Sequence, residues 1–289
     1  MVKDMDHINW YPGHMKKTKD LLRDSLKLID IVVELLDSRI PRSSKNPDID
    51  TIINNKPKLV LMNKSDLGNE EGNRIWKKHL ENENTKVMFV NAHSPKDGAR
   101  ITKEIQSILK DKIEERKAKG IKNVTVRAMI VGIPNVGKST LINSLSGRKG
   151  AKTGNRPGVT KGKQWIKLKG NIELLDTPGI LWPKFEDQEV AMNLGFTGAI
   201  KDEVLDIETL ALRLIERLIS IDSAVLEDRY GIEISEGQSP LGVMDTIALA
   251  RGAVARNKEI DYTRVANMVL DEFRKGVLGR ITLELPERE

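Results

Sequence analysis

The stretch GIPNVGKST, residues 132–140, decides the fold. It fits the pattern G-x-x-x-x-G-K-[ST]. It follows the apolar run AMIV (128–131) and leads into STLINSLSG, a helix candidate. That strand–loop–helix setting is what makes the pattern a phosphate-binding loop. Glycines allow the backbone N–H groups around Asn135, Val136 and Gly137 to wrap phosphates, and the loop runs on through Lys138, Ser139 and Thr140. Lys138 supplies positive charge, and the Ser139 hydroxyl is a ligand for Mg²⁺.

Other apolar runs stand on either side of this loop. IDIVVELLD (29–37), KLVLMNKSD (58–66), KVMFVNA (86–92) and IELLDTPG (172–179) each end in polar or glycine residues. Helical stretches such as EEGNRIWKKHL and ARITKEIQSILKDKIEERKAKG lie between some of them. A helix is also expected after Pro12–Gly13, from the spacing of Met15, Leu22, Leu26 and Ile29. Strands alternating with helices predict an α/β fold, a mostly parallel sheet with helices on both faces. Ligands of such sheets bind at the carboxyl ends of the strands, where the polar motifs fall.

After about residue 185 the strand pattern fades. DIETLALRLIERLISI places Leu210, Leu214, Leu218 and Ile221 on one face, SPLGVMDTIALARG has a Ser-Pro start, and DYTRVANMVLDEFRKG runs from an Asp cap to Lys-Gly. This pattern predicts a nucleotide-binding unit over 1–185 and an all-α unit over 186–289.

Two motifs complete the nucleotide chemistry. In LLDTPG, Asp176 ends a strand where its carboxylate can hold the Mg²⁺ shell. Gly179 can bring its N–H to the γ-phosphate, because no side chain blocks the approach. Thr160, in RPGVT, is either a further Mg²⁺ ligand or a plain loop residue. NKSD (63–66) selects the base. The Asp66 carboxylate can accept from both N1–H and the exocyclic amine of guanine, which adenine cannot satisfy. Asn63 reaches another edge of the base, the Lys64 stem covers its face, and Ser65 lies between. Asn91 and Ala92, ending the next strand, sit where backbone N–H groups can meet the guanine oxygen.

Composition bounds the rest. The chain has 289 residues with 31% charged side chains and no cysteine. Disulfides and thiolate metal sites are excluded, and a cytoplasmic location is expected. No apolar run approaches the ~18 residues of a membrane span. The net charge of +6 is uneven, with 12 basic against 21 acidic residues from Glu186 onward. Residues 144–170 hold eight basic side chains and no acid. That run either faces a polyanion such as RNA or is a solvated loop beside the nucleotide.

The motif order is rotated. The guanine reader and base loop precede the phosphate loop, Thr160 and DTPG. In this the chain resembles the circularly permuted GTPases. With WYPGHM (10–15), DSRIP (37–41) and DTPGI added, it resembles the ribosome biogenesis GTPase A family of the YlqF type over nearly its whole length. The resemblance implies hydrolysis of GTP as a switch in late assembly of the large (50S) ribosomal subunit, stimulated by that subunit, with the helical unit over 186–289 contacting its rRNA. It also implies a Mg²⁺-dependent monomer without a membrane. The permutation attaches the helical unit directly behind the DTPG switch. Where many GTPases carry a water-orienting glutamine, this chain has Ile180. The family assigns catalysis to the histidine of PGHM, here His14, which from sequence alone reads rather as a surface histidine after a turn. Asn135 is either a ligand for K⁺, as in GTPases that use that ion, or a structural loop asparagine. Ile180 leaves open a different class, a GTP-dependent RNA-binding placeholder with negligible hydrolysis.

Overall fold

The computed structural model describes residues 23–53, 56–146, 164–177, 187–255 and 258–287. Six strands form one sheet: β1 (Ile31–Asp37), β2 (Lys58–Asn63), β3 (Thr85–Phe89), β4 (Val126–Gly132), β5 (Gln164–Leu168) and β6 (Ile172–Asp176). Their order is β3-β2-β1-β4-β6-β5. All pairings are parallel except β5 with β6. The five expected strands are present. β5 is the addition, an antiparallel edge strand lying within the basic run.

Both faces of the sheet are covered, as a parallel sheet requires. Ile31, Val33 and Leu35 of β1 join the larger core with Ile101 and Ile105 of helix Pro95–Ile108 and with Leu141 and Ile142 of helix Lys138–Ser146. On the opposite face Val32 packs with Ile49 and Ile53 of helix Pro47–Ile53, and Leu36 with Trp76 of helix Glu70–Leu80. The stretch expected as one long helix over 99–120 breaks at Leu109 into two.

Beyond β6 the described chain is helical. Helices Gln188–Phe196, Ile207–Asp222, Ala224–Tyr230, Pro240–Ala250 and Tyr262–Lys275 pack together. The expected caps Ser239 and Asp261 are in place, and Asp206 adds one that the sequence reading did not name. Asp206, Ser239 and Asp261 accept hydrogen bonds from first-turn N–H groups, and Gly276 ends the last helix with φ 74°. Leu210, Leu214 and Leu218 are buried as expected, whereas Ile221 is exposed. Two turns of helix after Leu214 the stripe has rotated away from its partners.

This helical region shares one apolar core with the sheet. The chain end returns to the body as well. The Ile281 N–H donates to the Leu67 carbonyl and that of Leu283 to the Arg39 carbonyl, each at 2.8 Å. The Trp76 indole donates to the Glu284 carbonyl at 2.8 Å. The Glu284 carboxylate accepts from the Ser43 N–H and hydroxyl at 2.6 Å each, and from the Asn193 amide at 3.0 Å.

Candidate guanine nucleotide site

The strand registers bring the motifs to one edge. Asp37 is level with Asn63, Leu35 with Gly132, and Ile130 with Asp176. The chain spreads outward from β1 to β3 on one side and from β4 on the other. The crevice between β1 and β4 is therefore the switch point where open sheets take ligands.

The phosphate loop leaves β4 and enters helix Lys138–Ser146, whose first N–H groups have no partner within the helix and suit an anion. Asn135 has φ 56° and Gly137 φ 104°. Only glycine fits at 137, because a Cβ there would lie 2.3 Å from the Asn63 amide nitrogen. The Lys138 ammonium is buried and donates to the carbonyls of Gly132 at 3.0 Å and Ile133 at 3.3 Å. Burial pulls it down to about 8, and the nearby Asp176 offsets only part of that. A phosphate at the loop would add negative charge beside this ammonium.

Ser139 opens the helix and the buried Asp176 ends β6. A hydroxyl and a carboxylate are hard oxygen donors, which suits Mg²⁺ with phosphates and water completing its shell. Val136 is buried and Thr140 half-buried.

Asn63 ties three loops together. Its amide donates to the Val136 carbonyl at 2.7 Å, and its oxygen accepts from the Ala92 N–H at 2.9 Å. One amide hydrogen is left to face a base. Lys64 has φ 55°, a strained conformation for a lysine. Its ammonium donates to Asp37 at 2.8 Å and to the Asn135 carbonyl at 3.2 Å. The Ser65 hydroxyl donates to the Val90 carbonyl, and the Asn91 N–H to Asp97. Asp66 is exposed, its carboxylate open to a ligand. The structure thus brings Asn63, Lys64, Ser65, Asp66, Asn91 and Ala92 alongside the phosphate loop. His14, Thr160 and Gly179 lie outside the described residues.

Two contributors were not assigned a role from sequence. Arg39 and Asp37 form a buried pair, with Nε–Oδ1 at 2.9 Å and Nη2–Oδ2 at 2.7 Å. Burial alone would push the Asp37 carboxyl up. The Arg39 guanidinium and the Lys64 ammonium outweigh it and hold the group well below the usual carboxylate range. The signal was present, since Asp37 ends an apolar run as the other site residues do. The second is Gly198, whose carbonyl accepts from the Asn135 amide at 2.6 Å. A cleft of about 650 Å³ opens here between the loops and the helical region, lined by Lys64, Asn135, Gly198, Lys201, Arg274 and Lys275 among others.

Among the described residues, several basic side chains of the helical region are committed within the chain. Arg251, Arg264, Arg274 and Arg280 donate to backbone carbonyls within the chain, and Lys275 pairs with Asp271.

A phosphate loop on β4, a guanine-type reader on β2 and the DTPG strand β6 in this sheet order define a GTPase with circularly permuted motifs. The family described as 50S ribosome-binding GTPase matches residues 127–222. Ribosome biogenesis GTPase A of Bacillus cereus is 44% identical over 97% of this chain and 94% of the relative. That of Thermotoga maritima is 30% identical over 97% and 95%. The solved GDP-bound structure of TM YlqF is 26% identical, covers 93% of this chain and 100% of that one, and superposes with a TM-score of 0.65. The chain belongs to the ribosome biogenesis GTPase A family. It is a GTP hydrolase, and among the described residues no helix is long and apolar enough to cross a membrane.

Proposed function

We propose that this GTPase is a switch in late assembly of the large ribosomal subunit, in the cytoplasm, with its hydrolysis stimulated by that subunit. The observation that carries the reading is the joint between site and helical region. Helix Gln188–Phe196 follows β6 and the DTPG segment, and its Asn193 is bonded to Ser43 and Glu284. A change at the γ-phosphate would pass along a short connection into packed helices. The names of the relatives support a ribosomal partner.

In this reading residues 1–185 bind the nucleotide and 186–289 meet the ribosome. Asp66 selects guanine, with Asn63, Lys64, Ser65, Asn91 and Ala92 forming the rest of the base pocket. Residues 135–140 and Gly179 hold the phosphates. Ser139, Thr160 and Asp176 hold Mg²⁺, which supplies positive charge to the phosphate oxygens. Asn135 offers its side-chain oxygen to K⁺, while its amide is fixed on Gly198. His14 orients the attacking water.

The test is GTP turnover with and without large ribosomal subunits, in the parent and in His14→Ala. Stimulation in the parent, reduced roughly 10²–10⁴-fold in the variant, is expected. Ile180 favours a second reading, a GTP-dependent RNA-binding placeholder. Retention of GTP on the subunit without stimulated turnover in the parent would select it.

A further inference from the structure

We propose that Arg39 is a positioning residue for the guanine-reading lysine, and that through it the base site senses how the helical region is docked. The proposal rests on the nucleotide reading of the site above.

Arg39 is 1% exposed and has two sets of partners. On one side its fork grips both oxygens of Asp37, whose Oδ2 also accepts from Lys64. On the other side Nη1 donates to the carbonyls of Arg274 at 3.3 Å and Phe273 at 3.5 Å. Its guanidinium carbon lies 5.3 Å from the centre of the Phe273 ring. Those carbonyls belong to the last turn of helix Tyr262–Lys275, where spare acceptor capacity and the helix dipole favour a cation, although the Phe273 carbonyl also accepts from the Gly276 N–H at 3.1 Å. Arg274 extends the connection, since its own side chain donates to the carbonyls of Phe196 at 3.0 Å and Gly195 at 2.8 Å. A continuous path of hydrogen bonds therefore joins helix Gln188–Phe196 to Lys64.

The chemistry demands arginine. A carboxylate fork and a third N–H at fixed angles exceed what an ammonium offers. Lys64 needs the support, because it stands in a left-handed conformation and its ammonium has to stay where it can meet both Asp37 and the phosphate-loop carbonyl. This path ends at the base rather than at the γ-phosphate. GDP and GTP engage it alike, so undocking of the helices weakens both nucleotides, and by linkage either nucleotide favours the docked arrangement.

The experiment is a double-mutant cycle on GDP affinity, read with a fluorescent GDP, in the parent, Arg39→Lys, Lys64→Ala and the double variant. Arg39→Lys is expected to bind about tenfold more weakly, the scale of coupling within one network. In the Lys64→Ala background the same change should cost nothing further. Amide exchange in the last turn of helix Tyr262–Lys275 should slow with GDP in the parent and not in Arg39→Lys. Parental affinity in a folded Arg39→Lys, or additive losses in the double variant, overturns the proposal. If Arg39→Lys does not fold, Phe273→Leu removes the ring beneath the guanidinium and leaves every hydrogen-bonding group. Weaker GDP binding in that variant supports the proposal, and parental binding overturns it. Lys64→Ala binding GDP like the parent would overturn the guanine site itself, a result distinct from additivity.

Discussion

At the residue scale, the site is held by groups that satisfy one another before any ligand arrives. Lys138 is a buried ammonium resting on two carbonyls. Burial brings it from the ordinary 10.5 to about 8. Between those values the unfolded chain keeps a proton that the folded chain has shed. Stability of the nucleotide-free protein therefore rises as pH climbs through that window, and below about 8 this residue adds no slope. Phosphates would restore the charge, so GDP affinity should fall over the same range. Thermal unfolding from about pH 7 to 10 should show the upward contribution in the parent and lose it in Lys138→Met. Parallel curves for the two proteins would contradict this account. The residues of this site were largely legible in the sequence, because a backbone cradle needs particular residue types at fixed spacing. Arg39 was not given a role, since its partners Phe273 and Arg274 are remote in the chain and no local pattern links them, whereas Asp37 ends an apolar run as the other site residues do.

At the scale of elements, the strands with apolar runs ending in a motif could be read directly, because burial on both faces leaves a continuous signature. β5 could not. It is an edge strand, QWIKL, with Trp165 exposed beneath Arg127 and with lysines on both sides that read as loop. The closing segment 281–284 was equally hidden, because its alternation of Ile281 and Leu283 with Thr282 and Glu284 is too short to be told from a loop. It nevertheless carries Glu284, which burial pushes up despite three donors that pull the other way. Glu284→Ala would take their acceptor from the buried N–H and hydroxyl of Ser43 and leave the Asn193 amide with the Ser43 hydroxyl alone. A loss of about 1–3 kcal/mol is expected, the cost of stranded polar groups. Urea unfolding followed by tryptophan fluorescence can measure it, since Trp76 donates to the Glu284 carbonyl. Glu284→Gln, which keeps an acceptor, should lose less, and equal losses in both would point away from the hydrogen bonds.

At the scale of the molecule, the sheet and the helices were foreseen as separate units, and their shared interior was not. Patterning tells which face of an element is apolar, not which element will cover it. One core cluster contains Leu35 and Ile130 of the sheet together with Leu194, Leu214 and Phe273 of the helices. The nucleotide-free chain should therefore melt in a single transition, with circular dichroism and tryptophan fluorescence coincident. Two resolved transitions would show that the regions are independent in stability.

The return of the chain end also sets an order of events at birth. Asp37 and Arg39 leave the synthesising ribosome early, whereas the carbonyls of Phe273 and Arg274 and the amide of Leu283 leave near the end. The phosphate cradle is whole well before the base loop gains its support from Arg280 and Ile281. A growing chain thus passes through a stage able to grip phosphates but poorly able to keep a guanine. Nascent chains halted after Ala250 should release labelled GDP faster than chains that include Arg280 and Ile281, so that nucleotide is retained only once that segment has been made.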